Sequence, residues 1–326
     1  MLHFTDMSDK VILQSVNGIL QEAAKALRPK KMRCAADADE GRLDAEVLLS
    51  FVLKRDRSWI AAHGNDRLSG MLRRRFEKLV TRRMAREPIA YITGTKEFYG
   101  RPFRVTPATL IPRPETELII DILRSTFKKD DLFILVDIGT GCGAIAVTAA
   151  LEFPNARVLA TDISMDALMI AAKNAKTHRS LKRVAFVKGD LLAPKVVKAI
   201  KSLGSGEMGH GSRMTRSALT LDPFPLTLVA NLPYLPERDL KKMDRDVIGY
   251  EPHGALFAGK DGLDAIRRLF DQIENDLTVN PNLILAEFDP PQAKEIVKLA
   301  KESFPLMTAK IHNDLAGRNR VVEIGL

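Results

Sequence analysis

The sequence predicts an α/β protein: a doubly wound, mostly parallel sheet of seven strands, preceded by a small all-helical domain. Three observations predict it. From residue 133 onward, short β-branched runs alternate with amphipathic stretches at helical spacing. Residues 1–90 carry only helical periodicity. A glycine-rich loop, 139–143, joins the first strand of the alternating region to its first helix. A chain of 326 residues is long enough for two such domains.

The N-terminal elements come first. Val11, Ile12, Val16, Ile19, Leu20, Ala23, Ala24 and Leu27 recur on one helical face, with Ser8 as the expected N-cap. Leu43, Val47, Leu48, Phe51 and Val52 form a second apolar face. A third helix would bury Leu68, Leu72, Phe76, Leu79 and Val80. It also carries Arg73, Arg74, Arg75, Lys78, Arg82, Arg83 and Arg86, which read as a solvated face or as a docking face for an acidic partner. Segments 28–41 and 63–66 are polar connectors. Tyr91, Ile92, Phe98, Tyr99, Phe103 and Val105, with Gly94 and Gly100 as turn signals, predict a short hairpin bridging the two domains.

The strands of the sheet are expected at 133–138, 157–161, 183–187, 226–230, 283–287, 306–311 and 320–324. Helices are expected at 144–153, 165–178, 262–275 and 292–304. The last two strands lie close together, which predicts an antiparallel edge strand. Segment 195–224, with Gly204-Ser205-Gly206 and Gly209-His210-Gly211-Ser212, is expected to be a mobile insertion. The expected domains are thus 1–90 helical, 91–110 a hairpin linker and 111–326 the α/β unit.

Composition excludes several classes. Hydrophobic residues at 45% and charged ones at 28% exclude wholesale disorder. Two cysteines, Cys34 and Cys142, exclude a disulfide scaffold and a four-thiolate zinc site. The six histidines have no ligand spacing, so no metal is expected. The most apolar stretch, 133–153, is interrupted by Asp137 and three glycines, which argues against a membrane span. Asp6 and Asp9 occupy the place of a signal peptide's basic region, so a cytoplasmic, soluble protein is expected. The net charge of +9 suggests a nucleic-acid or acidic-protein partner.

The loop reads Asp137-Ile138-Gly139-Thr140-Gly141-Cys142-Gly143-Ala144. Glycines permit a tight turn and close backbone approach, and the helix start behind them offers free N–H groups to an anionic ligand. Gly139, Gly141 and Ala144 satisfy a relaxed dinucleotide pattern. With Asp137 and Gly143 added, the loop resembles the S-adenosylmethionine loop of seven-stranded methyltransferases. Asp162, at the end of the second strand, can accept both ribose hydroxyls in either cofactor class. Asp190 could bond an adenine amino group, with Leu191 packed on the ring, or be an ordinary turn aspartate. Cys142 sits at a helix start that could lower its pKa, or it simply fills the loop.

After the fourth strand comes Asn231-Leu232-Pro233-Tyr234. Open α/β sheets place chemistry at the carboxyl ends of their strands. The Asn231 side chain and the carbonyl of Leu232 could hold the two N–H groups of a planar nitrogen nucleophile and aim its lone pair at a methyl donor. Tyr234 is expected against the flat face of the accepted group.

The chain here resembles the HemK/PrmC family of release factor glutamine methyltransferases. The resemblance runs nearly end to end. It includes Asp44-Ala45-Glu46, Arg82-Arg83 with Glu87-Pro88, and Glu97-Phe98 with Gly100. Its most distinctive stretch is Leu110-Ile111-Pro112-Arg113-Pro114-Glu115-Thr116-Glu117. Downstream come Tyr250-Glu251-Pro252, Asp261-Gly262-Leu263 and Asp314-Leu315-Ala316-Gly317 with Arg320-Val321-Val322. The resemblance implies a Rossmann-like S-adenosylmethionine-dependent domain that methylates the glutamine amide of the Gly-Gly-Gln motif in peptide-chain release factors. It implies that residues 139–143 with Asp162, Leu191 and Asn231 bind the cofactor. Residues 231–234 would hold the glutamine, Arg113, Glu115 and Glu117 would line or brace the pocket, and residues 1–90 would help dock the release factor.

A monomer working near the ribosome, without metal or membrane, is expected. Two departures stand out. Leu232 replaces the family's usual proline, and the segment after the fifth strand reads Glu287-Phe288-Asp289-Pro290-Pro291-Gln292. Asn-Leu-Pro-Tyr also resembles the ribosomal RNA adenine dimethyltransferases, so an adenine-N6 methyltransferase of RNA or DNA is the alternative. A non-catalytic docking protein that retains the fold is a third reading.

Overall fold

The computed structural model describes residues 15–28, 36–205, 224–276 and 279–326. Two compact units divide at Thr93/Gly94.

The first unit is helical. Helix α1 (Val16–Leu27) begins at Ser15, whose hydroxyl accepts the N–H of Gly18. The expected cap Ser8 and the face residues Val11 and Ile12 lie outside the described residues. Helix α2 spans Ala36–Leu53 and α3 spans Arg57–Ala62, capped by Asp56. Helix α4 (Gly70–Met84) is capped by Ser69, and α5 covers Ile89–Thr93. Val16, Ile19, Leu20, Leu48, Leu49, Val52, Phe76 and Val80 form one buried cluster. Leu72 and Leu79 pack against it half-buried, as the apolar face of α4 predicts. On the opposite face Arg73 pairs with Glu77 and Arg82 with Glu87, while Arg83 reaches Asp44 of α2 at 2.7 Å. Part of the basic cluster thus serves the helical unit itself.

The second unit opens with a hairpin, β1 (Thr95–Phe98) and β2 (Arg101–Arg104). Its two-residue turn, Tyr99-Gly100, has φ of +51° and +69°, the mirror-image turn that suits the strand twist. The hairpin falls wholly within this unit, where Asn174 hydrogen-bonds both backbone groups of Arg104. A 3-10 turn, Pro114–Thr116, leads into α6 (Glu117–Thr126).

The alternating region then follows in chain order. It runs β3 (Ile134–Ile138), α7 (Ala144–Glu152), β4 (Arg157–Asp162), α8 (Met165–Thr177), β5 (Val184–Lys188) and α9 (Pro194–Ser205). It continues with β6 (Leu226–Ala230), α10 (Arg245–Tyr250), α11 (Asp264–Asn275) and β7 (Leu283–Glu287). It closes with α12 (Ala293–Ser303), β8 (Thr308–Asn313) and β9 (Asn319–Gly325). The sheet order is β5-β4-β3-β6-β7-β9-β8. The reversal between β3 and β6 is the switch point at which such sheets bind ligands.

Two expectations are corrected here. The antiparallel strand is not at the edge. β9 pairs antiparallel with both β7 and β8, so it lies inside the sheet, and the edge strand β8 runs with the others. A tight β8–β9 connection forces those two strands to be antiparallel, and β9 takes the place beside β7. The expected mobile insertion begins instead as helix α9, with Val196, Ile200 and Leu203 buried against the sheet. The remainder, 206–223, lies outside the described residues.

Candidate active site

Register places the site. Ile138 of β3 pairs with Thr161 of β4 and with Ala230 of β6. The glycine loop, Asp162 and Asn231 therefore leave the same end of three adjacent strands. A cavity of about 490 Å³ opens there. It is lined by Gly139, Thr140, Gly141, Asp162, Leu191 and Asn231, among others. Cys142, Asp190, Leu232 and Pro233 also contribute to the wall.

The loop conformation depends on its glycines. Gly143 has φ +83°, and a Cβ there would sit 2.9 Å from the Ala171 Cβ. At Gly139 (φ +75°) an added Cβ would lie 3.1 Å from Leu232 Cδ2, so loop and tetrapeptide pack closely. Asp137 is placed behind the loop rather than on the cavity wall. Its Oδ2 accepts the Thr140 hydroxyl at 2.6 Å and the Ala146 N–H at 3.0 Å. Burial pushes its carboxyl up to about 7. Its expected role in holding the cofactor is thereby corrected to bracing the loop. Burial likewise pushes the Cys142 thiol up to about 12, so the helix start does not activate it.

Asp162 faces the cavity. One carboxylate oxygen takes the Gly141 N–H at 2.9 Å and the other the Ser164 N–H at 2.8 Å. Each oxygen keeps a further lone pair, so the pair of vicinal hydroxyls of a ribose fits this donor set. Asp190 is held by Arg268 at 2.5 Å, with Leu191 beside it. These residues fit a nucleoside ligand.

Asn231 lies at the cavity wall and donates its Nδ2 to the Thr116 hydroxyl at 3.0 Å. Pro233 shares the main cavity, but Tyr234 lines a small separate pocket behind it. The Tyr234 hydroxyl donates to Glu287 Oε1 at 3.1 Å. Burial and the neighbouring carboxylate raise its pKa, so it stays a donor. The Tyr234 hydroxyl is thus anchored on β7.

The bracing residues are a second tier. Glu251, with its side chain 1% exposed, accepts from Arg113 at 2.6 Å and from the Ile111 N–H at 3.0 Å. Glu115 pairs with Arg318 at 3.3 Å. Arg113 and Glu115 therefore brace the wall and do not line it, whereas Thr116 between them does. Glu117 accepts the N–H of Tyr99 at 2.8 Å, which ties α6 to the hairpin. Gln292 donates to the Tyr234 carbonyl at 2.8 Å and to the Asp261 carbonyl at 2.9 Å. Gly262 fits only because it lacks a side chain: a Cβ would sit 2.1 Å from the Tyr234 carbonyl oxygen. Asn174 joins the hairpin to the loop by donating to the Cys142 carbonyl at 2.8 Å. Sequence reasoning assigned no role to Thr116, Asn174, Glu251 or Gln292. Three of the four stand in or beside the quoted family segments, but nothing in their spacing told what they touch.

The lining combines a carboxylate suited to vicinal hydroxyls with an amide suited to an N–H donor, around one cavity at the switch point. Such a lining fits the class of S-adenosylmethionine-dependent methyltransferases. Comparison with known proteins narrows the class. The family described as PrmC N-terminal domain matches residues 19–94, and the methyltransferase small domain matches residues 115–200. A release factor glutamine methyltransferase of Koribacter versatilis is 39% identical over 73% of this chain and 76% of its own length. That of Coxiella burnetii is 35% identical over 86% and 90%, and that of Bradyrhizobium diazoefficiens 33% over 97% and 96%. The chain belongs to the release factor glutamine methyltransferase family.

Proposed function

We propose that the chain methylates the side-chain amide nitrogen of the glutamine in the Gly-Gly-Gln motif of peptide-chain release factors. The observation that carries the reading is Asn231: a carboxamide at the cavity wall, fixed by a buried hydroxyl at the end of β6. Its Oδ1 accepts one N–H of the substrate amide and the Leu232 carbonyl accepts the other. Held so, the nitrogen lone pair is oriented without prior deprotonation, and positioning supplies most of the acceleration. Bound at this site, S-adenosylmethionine supplies a methyl on a cationic sulfur, which leaves as a neutral thioether while the amide nitrogen gives up one proton to solvent. The loop 139–143, Asp162, Asp190 and Leu191 hold the cofactor in this reading, and Asp137 keeps the loop in shape.

The helical unit docks the release factor, and the chain acts as a cytoplasmic monomer near the ribosome. No described helix is long and apolar enough to cross a membrane. The test offers labelled S-adenosylmethionine with three acceptors: a release factor, the same factor with Gly-Gly-Gln changed to Gly-Gly-Ala, and total ribosomal RNA. Label on the intact factor alone is expected. Label on RNA alone would replace the reading with adenine methylation.

A further inference from the structure

The loop between β5 and α9 holds one residue in a costly conformation. Leu191 has φ of +50°, in the left-handed region that residues with a Cβ rarely adopt. It is 7% exposed and lines the main cavity. Strain of this kind persists only where the surroundings over-determine it, and it gathers at ligand clamps.

The contacts that hold it flank Leu191 on both sides. Before it, the Gly189 N–H donates to the Asp162 carbonyl at 3.0 Å, and Asp190 pairs with Arg268 at 2.5 Å. Gly189 packs so closely on α9 that a Cβ there would lie 2.4 Å from Val196 Cγ2. After it, the Leu192 N–H donates to Gln272 Oε1 at 2.8 Å. Arg268 and Gln272 stand one turn apart on α11, so one helix face reaches the loop on either side of Leu191. The two tethers differ in weight. Arg268 and Asp190 are each about half exposed, where an ion pair contributes little. Leu192 is 5% exposed, and a buried N–H is costly to leave unmatched. The tether through Gln272 is therefore the stronger. Arg268 lines the cavity, whereas Gln272 stands behind the wall.

We propose that Gln272 is a positioning residue for cofactor binding. By holding the Leu192 N–H it keeps Leu191 in the left-handed region, with its side chain set against the nucleobase before the cofactor arrives. Released from that hold, Leu191 relaxes to an ordinary backbone conformation and its side chain turns off the wall. Binding then has to restore the strain, and affinity falls. The inference rests on Leu191 being a cofactor contact, as proposed above.

The test measures binding to the full chain by titration calorimetry, with far-UV circular dichroism to confirm the fold of each variant. The probes are S-adenosylmethionine and 5′-methylthioadenosine, which keeps the nucleoside and lacks the amino-acid end. Gln272→Met keeps the length of the side chain and removes the acceptor. Its Kd should rise about fivefold to twentyfold for both ligands, and by the same factor, because the loss lies at the nucleoside. Gln272→Glu keeps an acceptor and should recover most of the affinity. A double-mutant cycle gives the sharper answer. Once Leu191→Ala has removed the side chain being positioned, adding Gln272→Met should weaken binding by no more than about twofold. Wild-type affinity in Gln272→Met, a loss that Gln272→Glu does not recover, or full additivity with Leu191→Ala overturns the proposal. Wild-type affinity in Leu191→Ala alone removes Leu191 as a cofactor contact and the inference with it. Weaker binding in Leu191→Ala beside an unchanged Gln272→Met overturns the inference and leaves that contact standing.

Discussion

Asp137 is fully buried, and its Oδ1 has no hydrogen-bond partner among the described residues. With its carboxyl at about 7 against 3.8 in the unfolded chain, the folded state binds this proton the more tightly between those values. Its contribution to stability is therefore greatest below about pH 4 and declines as the pH rises to about 7. Urea unfolding of wild type and Asp137→Asn from pH 4 to 8 checks the sign, since wild type should lose ground to the variant as pH rises. Parallel curves would remove Asp137 from the account. Asn231→Ala, by contrast, should leave the fold alone and lower methyl transfer by about a hundredfold or more. Thermal unfolding and a binding isotherm for S-adenosylmethionine, both near wild type, would place that loss in the chemical step. At this scale the sequence was legible where a residue type carries its own chemistry, as with Asp162 and Asn231. The partner of the Tyr234 hydroxyl was not legible, because Glu287 lies 53 positions further along the chain.

Among the elements, the start of α7 is the most constrained. Gly143 caps it in the left-handed region and touches Ala171 of α8. Gly143→Ala should cost about 1–3 kcal/mol through backbone strain and overlap, measured as a lower urea midpoint together with weaker cofactor binding. Strand positions were readable because buried parallel strands are continuous apolar runs, as 134–138 and 226–230 are. Helix α9 was missed although Val196, Val197, Ile200 and Leu203 have helical spacing, because the glycines that follow dominated the reading. The inward place of β9 was not legible at all, since local periodicity carries no information about which strand lies next to which.

At the scale of the whole molecule the chain forms two compact units. If the helical unit docks the release factor, damage to its core should leave cofactor binding intact. Phe76, 1% exposed, is the place to cut. Phe76→Ala should destabilise that unit by about 3–5 kcal/mol. Transfer should then weaken through the KM for the release factor, with affinity for S-adenosylmethionine unchanged. A parallel fall in both would deny the helical unit a separate docking role. The α/β unit was legible as a class from strand–helix alternation, and its site from one loop and one tetrapeptide. The supports that hold those pieces in register come from residues 50 to 140 positions away in the chain, such as Gln292 on Tyr234 and Glu251 on Ile111.

The place of β9 also bears on how the protein is made. β7 finds its partner on that side only in residues 319–325, and β8 attaches only through β9. A nascent chain that has reached β8 but not β9 therefore carries an open, apolar edge in the middle of its future sheet. Such edges recruit other strands. Translation stalled or truncated at residue 318 should yield aggregated product, held in solution only by a chaperone.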